Sequence, residues 1–186
     1  MTKTPFPLPL IPYINPPTFP SQNPHLFSKE TLEETRNKRV VLALYEALSS
    51  RDVDLVQKLL ASDLEWWFHG PPSHQFLMRI LTGTANSGDS FRFEPLKVDA
   101  IGPTVFVEGQ DLARNITWVH AWSVTDGIIT QVREYFNTSL TVTRLGNQSR
   151  AAAATSAFTP LHCPSVWESS LSNRVGKSVP GLVLAI

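Results

Sequence analysis

Cysteine is almost absent from the sequence: Cys163 is the only one in 186 residues. A single thiol excludes an internal disulfide framework and a four-cysteine zinc site. The chain also has no excess of either charge, because 16 basic residues balance 16 acidic ones. This balance argues against nucleic acid, and against a polybasic membrane surface, as the main partner.

Long apolar runs are missing as well, and none approaches the roughly 18 residues that would span a bilayer. Hydrophobic residues still make up 42% of the chain, which is enough for a real core. The length of 186 residues suits one compact domain with tails. We therefore expect a small soluble protein of the cytoplasm, with the nucleus as the alternative compartment and organelle targeting less favoured.

Proline is concentrated at the N-terminus, where eight of the 15 prolines lie within the first 24 residues. Residues 1–27 contain one charged side chain, Lys3. Repeated proline favours extended polyproline II and interrupts every apolar stretch that a secretory signal would need. The composition predicts a disordered arm over residues 1–28.

Three helices are predicted after this arm. Thr31 and Glu34 have the spacing of a capping box, and Asp52 and Ser73 can cap two further helices. Apolar residues recur at helical spacing in each of the three segments. They are Val40, Val41, Leu44, Tyr45 and Leu48, then Leu55, Val56, Leu59 and Leu60, then Phe76, Leu77, Ile80 and Leu81.

The remaining regular segments are strand-like. One lies between the second and third helices, and a meander follows Asn86; the segments are 64–69, 91–100, 104–109, 116–124 and 128–136. Asp126-Gly127 is a strong signal for a tight hairpin. This order predicts an α+β domain over residues 29–145, with helices on one face of an antiparallel sheet. Residues 146–186 are predicted to be a linker and a tail, whose Leu182-Val183-Leu184 segment can dock on the domain.

The hairpin predicts which side chains share a face. A two-residue turn pairs Thr125 with Ile128 and therefore His120 with Arg133. One face would then carry Trp118, His120, Trp122, Arg133, Tyr135 and Asn137. This mixture of rings and polar groups suits a small-molecule pocket, whereas a plain core face would be aliphatic. In the alternative interpretation, the rings fill a concave sheet and Arg133 pairs with a carboxylate.

The opposite face would carry Val119, Ala121, Val132 and Phe136. It is apolar enough to suggest a homodimer interface. Trp67 and His69, near the end of the first strand, are further candidates for binding a ligand at the mouth of the pocket.

Neither a metal nor a cofactor is predicted. His69 and His74 flank a Gly-Pro-Pro segment, but they lack a third ligand at readable spacing. Gly176-Lys177-Ser178 resembles the end of a phosphate-binding loop, yet the glycine needed five positions earlier is replaced by Leu171.

Two stretches carry a family resemblance. WVHAWSVTDGII at 118–129 and REYFN at 133–137 resemble the nuclear-transport-factor-2-like, polyketide-cyclase-like (SnoaL-like) superfamily. HCPSVWESSL at 162–171 and NRVGKSVPGLVL at 173–184 resemble the plant wound-induced protein 1 family, and that resemblance extends over about residues 37–186. It implies a cone-shaped domain, often a homodimer through its sheet, that is expressed in wounding or senescence.

The superfamily resemblance also implies where catalysis would occur. In its enzymes an acidic residue usually ends the strand after the Tyr/Phe pair, but here that position holds Asn137, whose amide does not exchange protons at ordinary pH. His120 is the best remaining titratable group on the pocket face, and Arg133 can hold an anionic oxygen.

Three hypotheses follow for the function. The first is a non-catalytic ligand-binding or accessory protein of plant stress response or specialised metabolism, taking a small apolar or aromatic ligand, with a partner enzyme as an option. The second is a cyclase or isomerase that uses His120 and Arg133. The third is a protein-interaction module, whose pocket is filled by its own side chains or covered by the tail.

Overall fold

A computed structural model describes residues 30–85, 91–144, 165–170 and 179–186. The predicted arm over 1–28 and most of the predicted linker lie outside the described residues. The elements, in chain order, are α1 (Leu32–Ser50), α2 (Val53–Leu59), β1 (Leu60–His69), a 3₁₀ turn (Pro72–His74), α3 (Phe76–Leu81), β2 (Pro95–Ile101), β3 (Thr104–Asp111), β4 (Ile116–Thr125), β5 (Ile128–Phe136), β6 (Ser139–Thr143), β7 (Ser165–Glu168) and β8 (Gly181–Ala185).

The first two helices begin where the capping residues predict. The Thr31 hydroxyl accepts from the Glu34 amide at 3.1 Å, and the Glu34 carboxylate accepts from the Thr31 amide at 2.9 Å. Asp52 accepts from the Leu55 amide at 3.0 Å. The cap predicted at Ser73 is wrong, because Ser73 lies inside the 3₁₀ turn and α3 begins after Gln75 without a side-chain cap.

Strands β1 to β5 form the main sheet, in the order β1-β5-β4-β3-β2. The α+β class and the three helices packed against a sheet are confirmed. The sheet is antiparallel from β2 to β5, but β1 pairs parallel with β5. Since α3 and three strands separate β1 from β5 along the chain, no hairpin fixes their relative direction.

The hairpin between β4 and β5 contains an irregularity that the sequence analysis did not predict. Asp126 and Gly127 have φ values of 51° and 83°, as a tight turn of type I′ requires, and Thr125 pairs with Ile128 as predicted. Thr130 is then an additional residue in β5, because Val124 pairs with Ile129 while Ser123 pairs with Gln131. Every later pair is therefore shifted by one residue from the predicted register.

Because of this shift, the side chains of β5 lie on the faces opposite to those predicted. His120 lies opposite Glu134, and Ala121 lies opposite Arg133. The inner face, toward the helices, therefore combines Trp118, His120, Trp122, Val132, Glu134 and Phe136. Arg133 and Tyr135 lie on the outer face instead, which corrects the predicted composition of both faces.

A second sheet, in the order β7-β6-β8, covers this outer face. Its core cluster consists of Phe106, Val119, Ala121, Tyr135, Leu140, Val142, Trp167 and Leu184. The apolar surface that was predicted to form a homodimer interface is therefore covered by the chain's own C-terminal strands. Val132 and Phe136, which were assigned to that surface, belong to the inner core.

Polar contacts fix the tail strands on the main sheet. The Trp167 indole donates to Asp99 Oδ2 at 2.7 Å, and the Ser170 amide donates to the buried Glu108 carboxylate at 3.0 Å. The predicted docking of the 182–184 segment is confirmed, because β8 pairs with β6 and Leu184 is buried. The described tail strands lie on the outer face, and they do not form a lid over the helix side.

Candidate functional site

The site begins with three rings of β4 that the alternation of the strand places on the inner face. Trp118, His120 and Trp122 are each 1% exposed or less. The sequence correctly predicted that these three share a face. The chain's own side chains surround them completely, however, so they form a wall of the core and are closed to solvent.

A continuous hydrogen-bond network passes through this wall. The Tyr45 hydroxyl, from α1, lies 2.6 Å from His120 Nδ1, and His120 Nε2 lies 3.1 Å from Glu134 Oε1. At the two ends of the network, Trp66 Nε1 donates to Glu134 Oε2 at 3.1 Å and Trp122 Nε1 donates to the Tyr45 oxygen at 3.0 Å.

The direction of the bonds follows from the indole at one end. The Tyr45 oxygen accepts from Trp122, and His120 Nδ1 is the other partner of this hydroxyl in the described network, so the phenol proton is donated to His120 Nδ1. His120 Nε2 then carries a hydrogen and donates it to the Glu134 carboxylate. In this arrangement the His120 imidazole joins Tyr45 to Glu134, and each polar side-chain atom of the network has a partner.

Burial is the main cause that raises the pKa of Tyr45 well above its ordinary value, and the negative charge of Glu134 adds to it. The hydrogen bond from Trp122 acts in the opposite direction. Tyr45 therefore stays protonated throughout the neutral range and far into the alkaline range.

Trp118 differs from Trp122 in the surroundings of its indole nitrogen. Within the described residues, the Trp118 indole nitrogen is buried and has no hydrogen-bond acceptor. The ring is held by packing instead, with Tyr45 stacked at 5.9 Å and Phe93 against it edge-on at 5.1 Å.

A cavity of about 620 Å³ lies on the helix side of this wall. Its volume is within the range of small-molecule sites. Apolar side chains form most of its lining: Tyr45, Ala47, Leu48, Val53, Val56, Ile80, Leu81, Ala85, Phe91 and Phe93. Tyr45 belongs to both the lining and the network, so it connects the cavity to His120.

The polar part of the lining is small. Arg51 comes from the end of α1, while Arg92 and Glu94 come from the segment before β2. Ser49 and Gln57 complete the polar lining. An apolar chamber with a few charged groups can hold an apolar molecule and orient its polar end.

Four of the predicted ligand-binding residues lie elsewhere. Trp67 is 54% exposed and pairs with Arg133 across β1 and β5, while His69 stacks on Tyr135 with ring centroids 4.8 Å apart. They form a group of their own on the outer face, away from the inner wall. Burial raises the pKa of Tyr135, and the neighbouring Arg133 opposes that shift.

Asn137 has a structural contact. Its side-chain oxygen accepts from the Thr117 amide at 2.9 Å, and its backbone has a φ of 49°. Asparagine tolerates this left-handed conformation better than most residues do. The position therefore fixes the end of β5 beside the start of β4.

The predicted catalytic pair is not assembled. His120 and Arg133 lie on opposite faces of the main sheet, and His120 is fully buried. Among the described residues, no group of three His, Cys, Asp or Glu side chains is arranged to hold a metal ion. No helix in the described part of the chain is long and apolar enough to cross a membrane.

Comparison with known proteins identifies the family. A family model described as "Wound-induced protein WI12" matches residues 78–186, which is more than half of the chain. The chain belongs to the WI12 family. The match begins in α3, whereas the predicted resemblance begins near residue 37.

Two curated relatives extend the assignment. This chain is similar to "Wound-induced protein 1" of Solanum tuberosum, with 66% identity over 110 residues. It is also similar to "Senescence associated gene 20" of Arabidopsis thaliana, with 58% identity over 110 residues. Each alignment covers 59% of this chain and 100% of the relative.

Solved structures also align with parts of the chain. A putative SnoaL-like polyketide cyclase from Jannaschia aligns with a TM-score of 0.44 and 16% identity, covering 57% of this chain and 88% of its own. An LEH-like epoxide hydrolase of M. tuberculosis aligns with a TM-score of 0.43 and 24% identity, covering 56% of this chain and 84% of its own.

The WI12 match divides the cavity. Phe91, Arg92 and Phe93 lie inside the matched residues, whereas Tyr45 and Arg51 precede them. The helices α1 and α2, which form one side of the chamber, are therefore outside the part that defines the family.

Three members of the hydrogen-bond network were not predicted as site residues: Tyr45, Trp66 and Glu134. Tyr45 was predicted only as one of the apolar positions of the first helix, and Trp66 was not predicted to belong to a site. The predicted register would put Glu134 on the face opposite His120, because the additional residue at Thr130 left no clear pattern in the sequence. A signal for Glu134 did exist, since a carboxylate between Arg133 and Tyr135 on a buried strand requires a partner.

Proposed function

We propose that this WI12 protein binds one small apolar or aromatic molecule in the chamber between α1, α2 and α3 and releases it chemically unchanged, as part of the plant wound response. The observation that carries the proposal is the apolar cavity of about 620 Å³, which the described side chains leave open. The wound context is taken from the names of the family and of its potato relative.

The burial of the hydrogen-bond network supports binding without catalysis. His120 and Glu134 are each 0% exposed, so a molecule in the chamber meets Tyr45 before it meets either of them. A general acid or base must come within hydrogen-bond reach of the reacting atom. The network instead gives the chamber a fixed inner wall, because every member is held by at least one neighbour.

A fluorescent apolar probe tests the binding directly. N-Phenyl-1-naphthylamine is uncharged, and its two aromatic parts suit a chamber lined by Leu48, Val56 and Phe91. We expect saturable binding with one site per chain. Leu48→Trp, which fills the chamber from α1, should weaken that binding by at least about tenfold, since a bulky ring removes the space the probe needs.

A substitution on the same helix provides the matched control. Leu42 is 43% exposed on α1 and does not line the chamber, so Leu42→Trp should leave the affinity unchanged. Thermal unfolding checks that both variants remain folded. The proposal is refuted if the probe does not bind, or if both tryptophan variants bind it as well as the original chain does.

The finer predictions about partners and location come from the sequence and from the family resemblance. A homodimer, a partner enzyme, a role in specialised metabolism and a cytoplasmic location stay predictions. If a homodimer forms, its interface must use a surface other than Val119 and Ala121, because the second sheet buries both.

A further inference from the structure

We infer that the chamber selects molecules carrying an anionic group, such as a carboxylate or a sulfonate, on an apolar body, and that Arg51 and Arg92 bind this group. The inference rests on the proposed function and adds the chemical class of the ligand. The observation behind it is that two guanidinium groups line one largely apolar cavity.

The two arginines are available for a ligand. Both are exposed at the surface of the chamber, and neither forms an ion pair with another described residue. A guanidinium presents several N–H donors in a planar fork, which fits the two oxygens of a carboxylate or sulfonate.

Arg51 also occupies an unusual backbone position. It ends α1 with a φ of 59°, where glycine is the ordinary residue. The other described non-glycine residues with positive φ are Asn115, Asp126 and Asn137, whose short polar side chains tolerate this conformation. Arginine has no such tolerance, so this position is occupied against backbone preference by a cation that lines the chamber.

Glu94 is the one carboxylate that lines the chamber among the described residues. Its negative charge repels an anion, so the arginines and Glu94 act in opposite directions. With two cations against one anion, the described part of the lining has an excess of one positive charge. Removing the arginines should therefore weaken the binding of an anion, and removing Glu94 should strengthen it.

A pair of probes separates the charge from the apolar body. 8-Anilinonaphthalene-1-sulfonate has the same ring system as N-phenyl-1-naphthylamine and adds one sulfonate. We expect the sulfonate probe to bind about tenfold more tightly at low salt, because the two guanidinium groups can each donate charge-assisted hydrogen bonds to the sulfonate. Added salt should reduce this preference for the sulfonate probe.

Substitutions then identify the residues that cause the preference for the sulfonate probe over the neutral probe. Arg51→Gln combined with Arg92→Gln should reduce the preference, measured as the ratio of the two probes' affinities for the same variant, to about twofold or less. Glu94→Gln should increase the preference. Arg39→Gln, which removes an exposed charge of α1 outside the chamber, should leave it as it is.

The outcomes distinguish this inference from the proposed function. If the neutral probe binds but the sulfonate probe binds no more tightly, or if the preference survives the double substitution, the anion selection is refuted and the apolar chamber stands. If neither probe binds, the proposed function is refuted and the anion selection with it.

Discussion

Tyr45 connects the chamber to the hydrogen-bond network of the inner face. Its ring lines the chamber, and its hydroxyl holds His120 on one side and Trp122 on the other. The helical spacing of α1 predicted that Tyr45 is buried, but no rule of spacing connects it to a strand 75 residues away. Such partners become visible only when the packing of α1 on the sheet is known.

The Tyr45 network should make the folded state sensitive to alkaline pH. Because burial raises the pKa of Tyr45, the folded chain keeps this proton after the unfolded chain loses it at about pH 10. The free energy of unfolding should therefore fall as the pH rises above about 10. Tyr45→Phe should be less stable than the original chain at pH 7, and the difference should narrow above pH 10.

Urea unfolding at a series of pH values measures this effect. Tyr135→Phe is the matched control, because Tyr135 is also buried and its pKa is also raised, but Arg133 opposes that shift. The difference in the free energy of unfolding between Tyr135→Phe and the original chain should narrow less above pH 10 than the difference for Tyr45→Phe. A stability difference between Tyr45→Phe and the original chain that stays constant from pH 7 to pH 11 would contradict the account of the network.

The two buried tryptophans of β4 allow one hydrogen bond to be measured. Trp122→Phe leaves the Tyr45 oxygen without its indole donor, whereas Trp118→Phe removes a donor that has no acceptor among the described residues. Both variants lose similar ring area, so the difference reports the bond. Trp122→Phe should be the less stable of the two by about 1 kcal/mol.

Chemical denaturation of the two variants gives the comparison, and near-ultraviolet circular dichroism shows whether the remaining rings keep their packing. Equal losses of stability, or a larger loss for Trp118→Phe, would mean that the Trp122–Tyr45 bond does not contribute as described.

At the scale of elements, the sequence predicted the helices and the meander better than it predicted their faces. The capping residues at Thr31 and Asp52 and the turn at Asp126-Gly127 act locally, so they can be identified without knowledge of the fold. The additional residue at Thr130 acts across two strands, and it moved Arg133 out of the predicted site and Glu134 into it.

The strand β6 was not predicted, although the sequence contains a pattern that indicates it. Ser139–Thr143 alternates polar and apolar residues with period two, which is typical of a half-buried strand. It begins directly after the predicted meander and supplies the central strand of the second sheet. Its partners β7 and β8 are short and distant in the chain, so their pairing could not be inferred from spacing.

The docking of β8 gives a prediction for one strand. Leu184 is 7% exposed against the outer face, whereas Val183, its neighbour, is 71% exposed. Leu184→Ala should lower the free energy of unfolding by about 2–3 kcal/mol, because it opens a space in the cluster around Phe106 and Val142. Val183→Ala should change it by no more than about 0.5 kcal/mol.

Equilibrium unfolding in urea, together with amide hydrogen exchange in β6, measures both variants. Faster exchange in β6 for Leu184→Ala alone is the expected pattern. If the two variants lose equal stability, or if exchange in β6 is unaffected by Leu184→Ala, the second sheet does not hold the tail as described.

At the scale of the whole molecule, the two faces of one sheet have different roles. The inner face carries the network and the chamber, and the outer face is closed by strands that lie inside the WI12 match. The family resemblance was visible in the sequence of the tail, whereas the chamber depends on α1 and α2. The fold class could thus be predicted well, and the site only in part.

The central claim is that the chamber holds a small molecule. The most direct test is native mass spectrometry of the full chain after incubation with an extract of wounded plant tissue, with Leu48→Trp and Leu42→Trp treated in parallel. We predict that the original chain and Leu42→Trp retain about one small molecule per chain, that its mass equals that of the free compound in the extract, and that Leu48→Trp retains none. An unloaded original chain, equal loading of all three proteins, or a retained molecule that has been chemically altered would contradict the account.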